Sequence, residues 1–246
     1  MRYEADHKEK TREKVLKAAA KAIRAEGPHR VGVAGVMRSA GLTHGGFYAH
    51  FESKDDLVAA AIGQMFEQSR ARFLNEVKDY PPAQALDAYV EFYLSPRHRD
   101  ARSSGCPIPA LAADLPRLDR SARARFAEGV AALTRAVAGR IEQLGHAEPE
   151  TLARSVVAEM VGALSLARVE PDEQKSNQML ADSREMVKKR LGIHDAAGHS
   201  AAGAASVSAR DAARDSRASA ASVDAQDATR DFTRAAANAA KKGPRS

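Results

Sequence analysis

The stretch 44–50 combines backbone and side chains suited to binding a polyanion. Gly45 and Gly46 stand in the first turn of a predicted short helix, although a glycine inside a helix costs about 1 kcal/mol relative to alanine. Glycine there lets a partner approach the backbone closely. Tyr48 is expected to point away from the apolar side, and Lys54 stands at the next helix start, where the helix dipole disfavours a cation. A phosphate partner would account for Lys54.

The single cysteine, Cys106, offers a different chemistry. It follows Gly105 and precedes Pro107 near a predicted helix start. Such a setting is expected to lower the pKa of the thiol, and the nearby arginines, Arg97, Arg99 and Arg102, add to that effect. A thiolate reacts with electrophiles and oxidants. The alternative is an inert cysteine packed in a hydrophobic core.

Composition narrows the class of protein. The 246 residues are 44% hydrophobic and only 5% aromatic, and they are rich in helix formers, with no strand-like alternation. An all-α protein is therefore predicted. The net charge of +6 and the pI near 9.5 are compatible with an anionic partner. One cysteine excludes an internal disulfide, and no apolar run reaches the roughly 18 residues of a membrane helix, so we expect no membrane partner and a cytoplasmic location.

No pattern typical of an enzyme is present in the sequence. There is no Ser-His-Asp set, no phosphate-binding loop and no dinucleotide-binding glycine pattern. His44 and His50 are six residues apart, which places them on different faces of a helix, and no Cys or acidic cluster joins them. We therefore expect no catalytic residue, no metal site and no cofactor.

Helical periodicity places the candidate polyanion-binding residues in a small N-terminal unit. Residues 9–26 predict a first helix, because apolar side chains recur at three- and four-residue spacing. Residues 33–40 predict a second, and Gly41 can supply the positive φ of the sharp turn that follows. Thr43 is suited to cap the third segment, and Ser53 to cap the long helix after it.

The rest of the chain predicts a second helical unit and a tail. Helices are indicated at about 54–77, 83–95, 123–144, 152–168 and 174–191, with a loop at 95–104 and a short helix from Cys106 or Pro107. The last two helices have broad small and aliphatic faces, which makes them candidates for a dimer interface or for ordinary core. The last segment, 194–246, is mostly Ala, Ser, Arg and Asp, and is predicted to be disordered because it cannot bury enough apolar surface.

The run MRSAGLTHGGFYAHFESKDDLVAAA, residues 37–61, resembles the DNA-binding domain of TetR/AcrR-type transcriptional repressors. The likeness covers about residues 10–62 and is specific: an A-G-L turn, a Thr cap, F-Y-x-H-F, then S-K-x-x-L. Gly32 departs from it, since Ser or Thr commonly caps the second helix, but Gly is a tolerable cap. The resemblance implies a helix-turn-helix domain at 1–56 and an effector-binding and dimerisation domain at 57–193; the tail at 194–246 lies outside it.

The resemblance also implies which residues contact double-stranded operator DNA. The segment 43–50 would enter the major groove. Thr43, Tyr48, His50 and Lys54 match positions that usually hold phosphates. His44 and Gly45 match positions near base edges, and the first helix adds one cation. The predicted set is Arg12, Thr43, His44, Gly45, Gly46, Tyr48, His50 and Lys54.

A homodimer released from a palindromic operator by a small molecule or an electrophile is the further implication. A Gly-Cys at this helix start is similar to a branch of the family with thiol-based electrophile sensors. The expected sensing residues are Cys106, Tyr89, Tyr93 and Phe126, and the expected interface residues are Val156, Met160, Leu164, Met179, Met186 and Val187. One alternative, a non-specific architectural DNA-binding protein, would be excluded by a strong preference for one palindrome. The other, a helical thiol-dependent enzyme, would be revealed by steady turnover of a peroxide or a quinone.

Overall fold

The computed structural model of the protein describes residues 2–193, and the tail predicted at 194–246 lies outside these described residues. The described part contains α-helices and 3₁₀ helices and no strand, which confirms the all-α fold class. The α-helices are α1 (Arg2–Glu26), α2 (Val33–Ser39), α3 (Lys54–Val77), α4 (Pro82–Tyr93), α5 (Pro96–Asp100), α6 (Pro107–Leu111), α7 (Arg120–Glu142), α8 (Pro149–Val169) and α9 (Glu173–Leu191). The 3₁₀ helices are His44–Ala49, called the recognition segment below, and Leu115–Arg117.

The N-terminal helices pack around a small aromatic and aliphatic core. Phe47 and Phe51 are both buried, and their rings stack with centroids 5.6 Å apart. Gly41 has φ 74°, and the turn it forms is closed by the Leu42 amide, which donates to the Met37 carbonyl at 2.9 Å. Only glycine adopts this φ without strain. The sharp turn therefore fixes the recognition segment against α2.

Helix α3 begins where the sequence predicts. The Ser53 hydroxyl accepts a hydrogen bond from the Asp56 amide at 3.1 Å, and an Asp56 carboxylate oxygen accepts one from the Glu52 amide at 3.1 Å. This reciprocal capping satisfies two amides at the helix start. From there α3 runs for 24 residues, or about 36 Å at 1.5 Å per residue. It contacts α1 near its start and α4, α6 and α7 further along.

Helices α4 to α9 form the second helical layer around α3. Helix α7 makes the most extensive contact with α3, and α8 and α9 pack on each other and on α7 or α4. A buried ion pair ties α4 to α9, because Lys188 Nζ lies 2.6 Å from Asp87 Oδ1. Inside a core such a pair fixes which helix faces meet.

Three local predictions are wrong in detail. The segment 95–104 is not wholly a loop, because α5 forms within it, capped by the Ser95 hydroxyl, which accepts from the His98 amide at 3.2 Å. Its five residues are too few to show periodicity. The first helix starts at Arg2 rather than near residue 9. Thr43 makes no side-chain cap; its carbonyl accepts from the Gly46 amide at 3.2 Å instead, in a 3₁₀ turn.

The closest approach of α7 to α3 depends on one glycine. A Cβ built on Gly129 would lie 2.2 Å from Cγ of Phe66, whereas one on Gly139, in the same helix, would meet nothing within 4 Å. We expect Gly129→Ala to lower the free energy of unfolding by about 1–3 kcal/mol through overpacking. Gly139→Ala, the matched control, should be neutral or stabilising by up to about 1 kcal/mol. Urea unfolding of both variants measures the difference, and equal effects would contradict the packing argument.

Candidate nucleic-acid interface and sensor cavity

The recognition segment divides its side chains between core and solvent. Phe47 is buried, whereas Tyr48 is 73% exposed, with the two rings in edge-to-face contact at 5.2 Å. Thr43, His44 and Gly45 are exposed as well. The segment therefore presents an exposed tyrosine, hydroxyl, imidazole and bare backbone from a rigidly packed base.

Lys54 has an internal partner. Its ammonium group donates to the His29 carbonyl at 3.2 Å, which ties the start of α3 to the turn after α1. The position of a cation at this helix start thus has a structural reason besides a phosphate partner. The side chain remains partly exposed.

A cluster of cationic side chains adjoins the end of the recognition segment. The Arg12 guanidinium lies 4.9 Å from the centre of the Phe51 ring, a cation–π contact. Burial lowers the pKa of His50, and the charges of Lys8, Arg12 and His7 lower it further. His50 Nδ1 is buried and has no hydrogen-bond partner among the described residues. The positive charge of this cluster, next to the exposed recognition segment, suits contact with a phosphate.

Three of the four predicted sensing residues line one cavity. It is bounded by α3, α4, α5, α7 and the turn before α6, and it offers about 30 Å³ to a water-sized molecule. Its lining residues are Ser69, Arg72, Phe73, Tyr89, Phe92, Tyr93, His98, Gly105, Cys106 and Leu133. Phe126 is not among them; it lies edge-to-face on Phe66 at 5.2 Å, between α7 and α3. The sequence predicted aromatic neighbours for Cys106 but could not say which side of α7 faces them.

The prediction of an accessible, acidic thiol at Cys106 is wrong. Only 7% of the residue is exposed. Burial raises the pKa of the thiol, and contacts with the Tyr93 hydroxyl and the Ile108 backbone and the charges of Arg168 and Arg24 offset this only in part. The thiol stays protonated near neutral pH. Helix α6, which begins beside it, has only five residues and therefore supplies little dipole.

His98 holds the Cys106 turn, although no sequence signal identified it. It is buried; its Nδ1 lies 2.8 Å from the Tyr93 carbonyl, and its Nε2 accepts from the Cys106 amide at 3.0 Å. These partners require the proton on Nδ1. A Cβ on Gly105 would lie 2.9 Å from His98 Nε2, so only glycine fits there. His98 lies in the polar stretch 95–104, and a histidine in such a stretch ordinarily indicates a solvated loop, so nothing in the sequence indicates its burial.

The Tyr93 hydroxyl is a buried polar group of the cavity that contacts the Cys106 thiol but has no oxygen or nitrogen partner among the described residues. It is buried and makes no hydrogen bond that meets geometric criteria. Burial raises its pKa, and the nearby Cys106 thiol raises it further. A buried, unused O–H donor costs free energy that a bound acceptor can recover.

The dimer-interface residues predicted from sequence divide into two groups. Four are buried in the core of their own protomer and cannot cover a partner: Val156, Met160, Leu164 and Val187. The two others, Met179 and Met186, are exposed, the latter by 54%. Leu166 and Val169, not in the predicted set, are 60% and 76% exposed. Both sides of α8 are apolar in sequence, so periodicity alone cannot tell the inward face from the outward one.

The fold and the recognition segment define a helix-turn-helix DNA-binding regulator with a second, cavity-bearing helical domain. Residues 15–61 match the model described as bacterial regulatory proteins, tetR family. Residues 82–186 match the model described as transcriptional regulator LmrA/YxaF-like, C-terminal domain. The chain belongs to the TetR family of transcriptional regulators, which are sequence-specific DNA-binding proteins and not enzymes.

Solved structures share this fold at low sequence identity. The reduced form of Escherichia coli NemR superposes with a TM-score of 0.65 at 20% identity, covering 73% of this chain and 96% of that one. A TetR transcriptional regulator from Chloroflexus aurantiacus gives 0.64 at 22%, covering 76% and 96%. A TetR-family regulator from Streptomyces coelicolor gives 0.57 at 26%, covering 74% and 95%. No match was found among curated proteins.

The described residues contain neither a metal-binding cluster nor a membrane-spanning helix. No group of three or more His, Cys, Asp or Glu side chains there is arranged to hold a metal ion. None of the helices in that part is long and apolar enough to cross a bilayer.

The buried histidine makes stability depend on pH. Burial lowers the pKa of His98 from 6.5 to about 4, so the unfolded chain binds the proton first as pH falls. His98 therefore stabilises the fold above pH 6.5, and we expect about 3 kcal/mol of that to be lost between pH 6.5 and 4. Urea unfolding across this window measures the loss.

His98→Asn is the control for this pH dependence. His50 shifts in the same direction, so only the difference in slope between wild type and His98→Asn belongs to His98. Identical slopes for the two proteins would show that the imidazole is not held neutral.

Proposed function

We propose that this regulator is a repressor that binds a palindromic operator as a homodimer and leaves it when a small molecule occupies the cavity beside Cys106. We assign DNA binding to residues 1–56 and effector binding and dimerisation to 57–193. The observation that carries the proposal is the position of the cavity. Ser69, Arg72 and Phe73 of α3 line it, and the other end of α3 is packed into the DNA-binding core.

The proposed DNA contacts are the exposed groups of the recognition segment and the cations beside it. Tyr48 and Thr43 offer hydroxyls to phosphates, and His44 and Gly45 stand where bases can be reached. The remaining members of the proposed set are Arg12, Gly46, His50 and Lys54. Phosphate contacts position the protein, and base contacts select the sequence.

The proposed dimer interface is the outer face of α8 and α9. Leu166 and Val169 of α8 and Met179 and Met186 of α9 are exposed apolar side chains on two helices that pack together. Exposed apolar clusters of this kind mark interfaces. Two-fold symmetry then lets two recognition segments about 34 Å apart read both halves of a palindrome.

The proposed signal passes through α6. This helix begins at the Cys106 turn and contacts both α1 and α3 as well as α8. An effector that displaces the Cys106 turn therefore acts on helices of both domains and of the proposed interface. Because the thiol is buried and protonated, recognition by binding is favoured over direct attack by a thiolate.

Lys54 and Tyr48 test the proposed docking. We expect Tyr48→Ala and Lys54→Ala each to weaken binding roughly tenfold on specific and random DNA alike, because both lose phosphate contacts. Only Lys54→Ala should reduce the slope of log K against log salt, by about 0.9. Fluorescence anisotropy with labelled operator, selected from a random pool, measures both quantities.

Lys78→Ala is the matched control, since Lys78 caps the opposite end of α3, about 36 Å away. It should leave affinity and salt slope nearly unchanged. Specific binding that survives loss of Tyr48, Lys54 and Thr43 together would show that the docking is wrong.

Leu166→Glu tests the proposed interface. A glutamate at this exposed position would be buried twice across a two-fold axis, so the dimer should dissociate at least tenfold more readily. Sedimentation equilibrium measures the change. Leu74→Glu, at an apolar side chain 39% exposed on α3, should leave the dimer intact. Equal dissociation of the two variants, or of neither, would place the interface elsewhere.

A further inference from the structure

Arg24 is a buried cation without an acidic partner among the described residues. It lies near the end of α1 and is only 8% exposed. Its guanidinium makes three long hydrogen bonds, one of 3.3 Å to the Met65 carbonyl and two of 3.4 Å to Gln68 Oε1, and its Nε has no partner among the described residues. Burial, together with the charge of Arg72, lowers the pKa of Arg24 to about 10. Such a group is costly unless an anion compensates it.

Two more arginines surround the same place. Arg72 lines the cavity, with its guanidinium carbon 6.0 Å from the centre of the Phe92 ring. Arg168 donates to the backbone carbonyls of Arg99 and His98, at 3.1 and 3.2 Å. None of these three arginines belongs to an ion pair recorded among the described residues.

The cavity is lined by one of these arginines, Arg72, and contains no acidic side chain among its described lining residues. It contains instead the buried Tyr93 hydroxyl. His98 offers no free nitrogen, because the Tyr93 carbonyl and the Cys106 amide occupy both. The site therefore combines the buried Tyr93 hydroxyl with the Arg72 guanidinium, and no acidic side chain stands among its described lining residues. That combination recognises an anion.

We propose that the cavity binds a small organic monoanion of the carboxylate class, and that Arg24 transmits its charge to the DNA-binding helices. The Tyr93 hydroxyl donates a hydrogen bond to one carboxylate oxygen, and the charges of Arg72 and Arg24 attract the anion. Of the three arginines, only Arg24 belongs to α1. A shift of its side chain toward the bound charge therefore acts on the DNA-binding core. This inference rests on the proposed effector cavity.

The walls limit the size and the charge of the ligand. A space of about 30 Å³ holds one or two water-sized groups, which suits a carboxylate group with a short chain. The aromatic walls, Phe73, Tyr89 and Phe92, can cover an apolar remainder. A phosphate dianion is a poorer fit, because no backbone nest among the described residues is aimed into the cavity.

Thermal unfolding with paired probes tests the charge requirement. Formate, acetate and propionate are compared with formamide, acetamide and propionamide at chloride-matched ionic strength. A ligand of the native state raises Tm, so we expect the carboxylates to raise it and the amides to have little effect. Tyr93→Phe should weaken carboxylate binding roughly tenfold. Equal effects of amides and carboxylates, or no effect of either, would overturn the proposal.

The role of Arg24 is tested by release from operator DNA. We expect the best carboxylate to weaken operator binding of wild type and of Arg24→Lys, and to lose at least most of that effect in Arg24→Met and Arg24→Gln. Arg70→Met is the control, since Arg70 is a partly exposed arginine of α3 that pairs with Glu67. Release that is unchanged in both neutral variants would remove Arg24 from the pathway.

Failure of this inference is separable from failure of the proposed function. If wild type binds a selected operator but no carboxylate binds or releases it, the monoanion is wrong and the DNA-binding function stands. If no operator can be selected at all, the proposed function itself fails. Should Arg24→Met not fold, the pair Arg24→Lys and Arg24→Gln decides the charge requirement.

Discussion

One continuous helix makes the two halves of this protein mechanically dependent on each other. Helix α3 is fixed at its start by the Ser53 and Asp56 caps and is gripped further along by α7, where Gly129 admits the Phe66 ring. An α-helix of this length bends little, because each turn is hydrogen-bonded to the next. In the proposed mechanism, a displacement at the cavity end of α3 is transferred to the recognition segment rather than absorbed between domains.

The structure of the DNA-binding domain could be predicted from sequence because the signals that determine it are local. The glycine at Gly41, the cap at Ser53 and the spacing of Phe47 and Phe51 each act within a few residues, so their consequences follow from short-range rules. The 3₁₀ form of the recognition segment is the exception. Thr43 has the side chain of a cap, yet with two glycines following it the backbone closes through the Thr43 carbonyl to the Gly46 amide instead.

For the second helical domain, the sequence predicted the helices but not how their side chains meet. His98 acts through partners on two other segments, the Tyr93 carbonyl and the Cys106 amide, and such pairings are invisible to periodicity. The reactivity expected of Cys106 rested on neighbours in sequence, whereas the arginines that influence its thiol are Arg168 and Arg24, far away along the chain. For the same reason the outward face of α8 could not be told from its inward face.

In the proposed mechanism, Arg24, a buried cation with no acidic partner among the described residues, gives the junction a physical means of switching. A ligand shifts a conformational equilibrium only by the difference in its affinity for the two states. An apolar ligand in a small preformed cavity has little such difference to offer. A charged ligand has a larger difference in affinity for the two states, because its interaction with Arg24 changes steeply with distance in a medium of low dielectric constant. A modest displacement of α1 then alters anion affinity enough to matter, since about 1.4 kcal/mol changes a population ratio tenfold. The burial that makes Arg24 costly is what makes its position sensitive to a charge in the cavity.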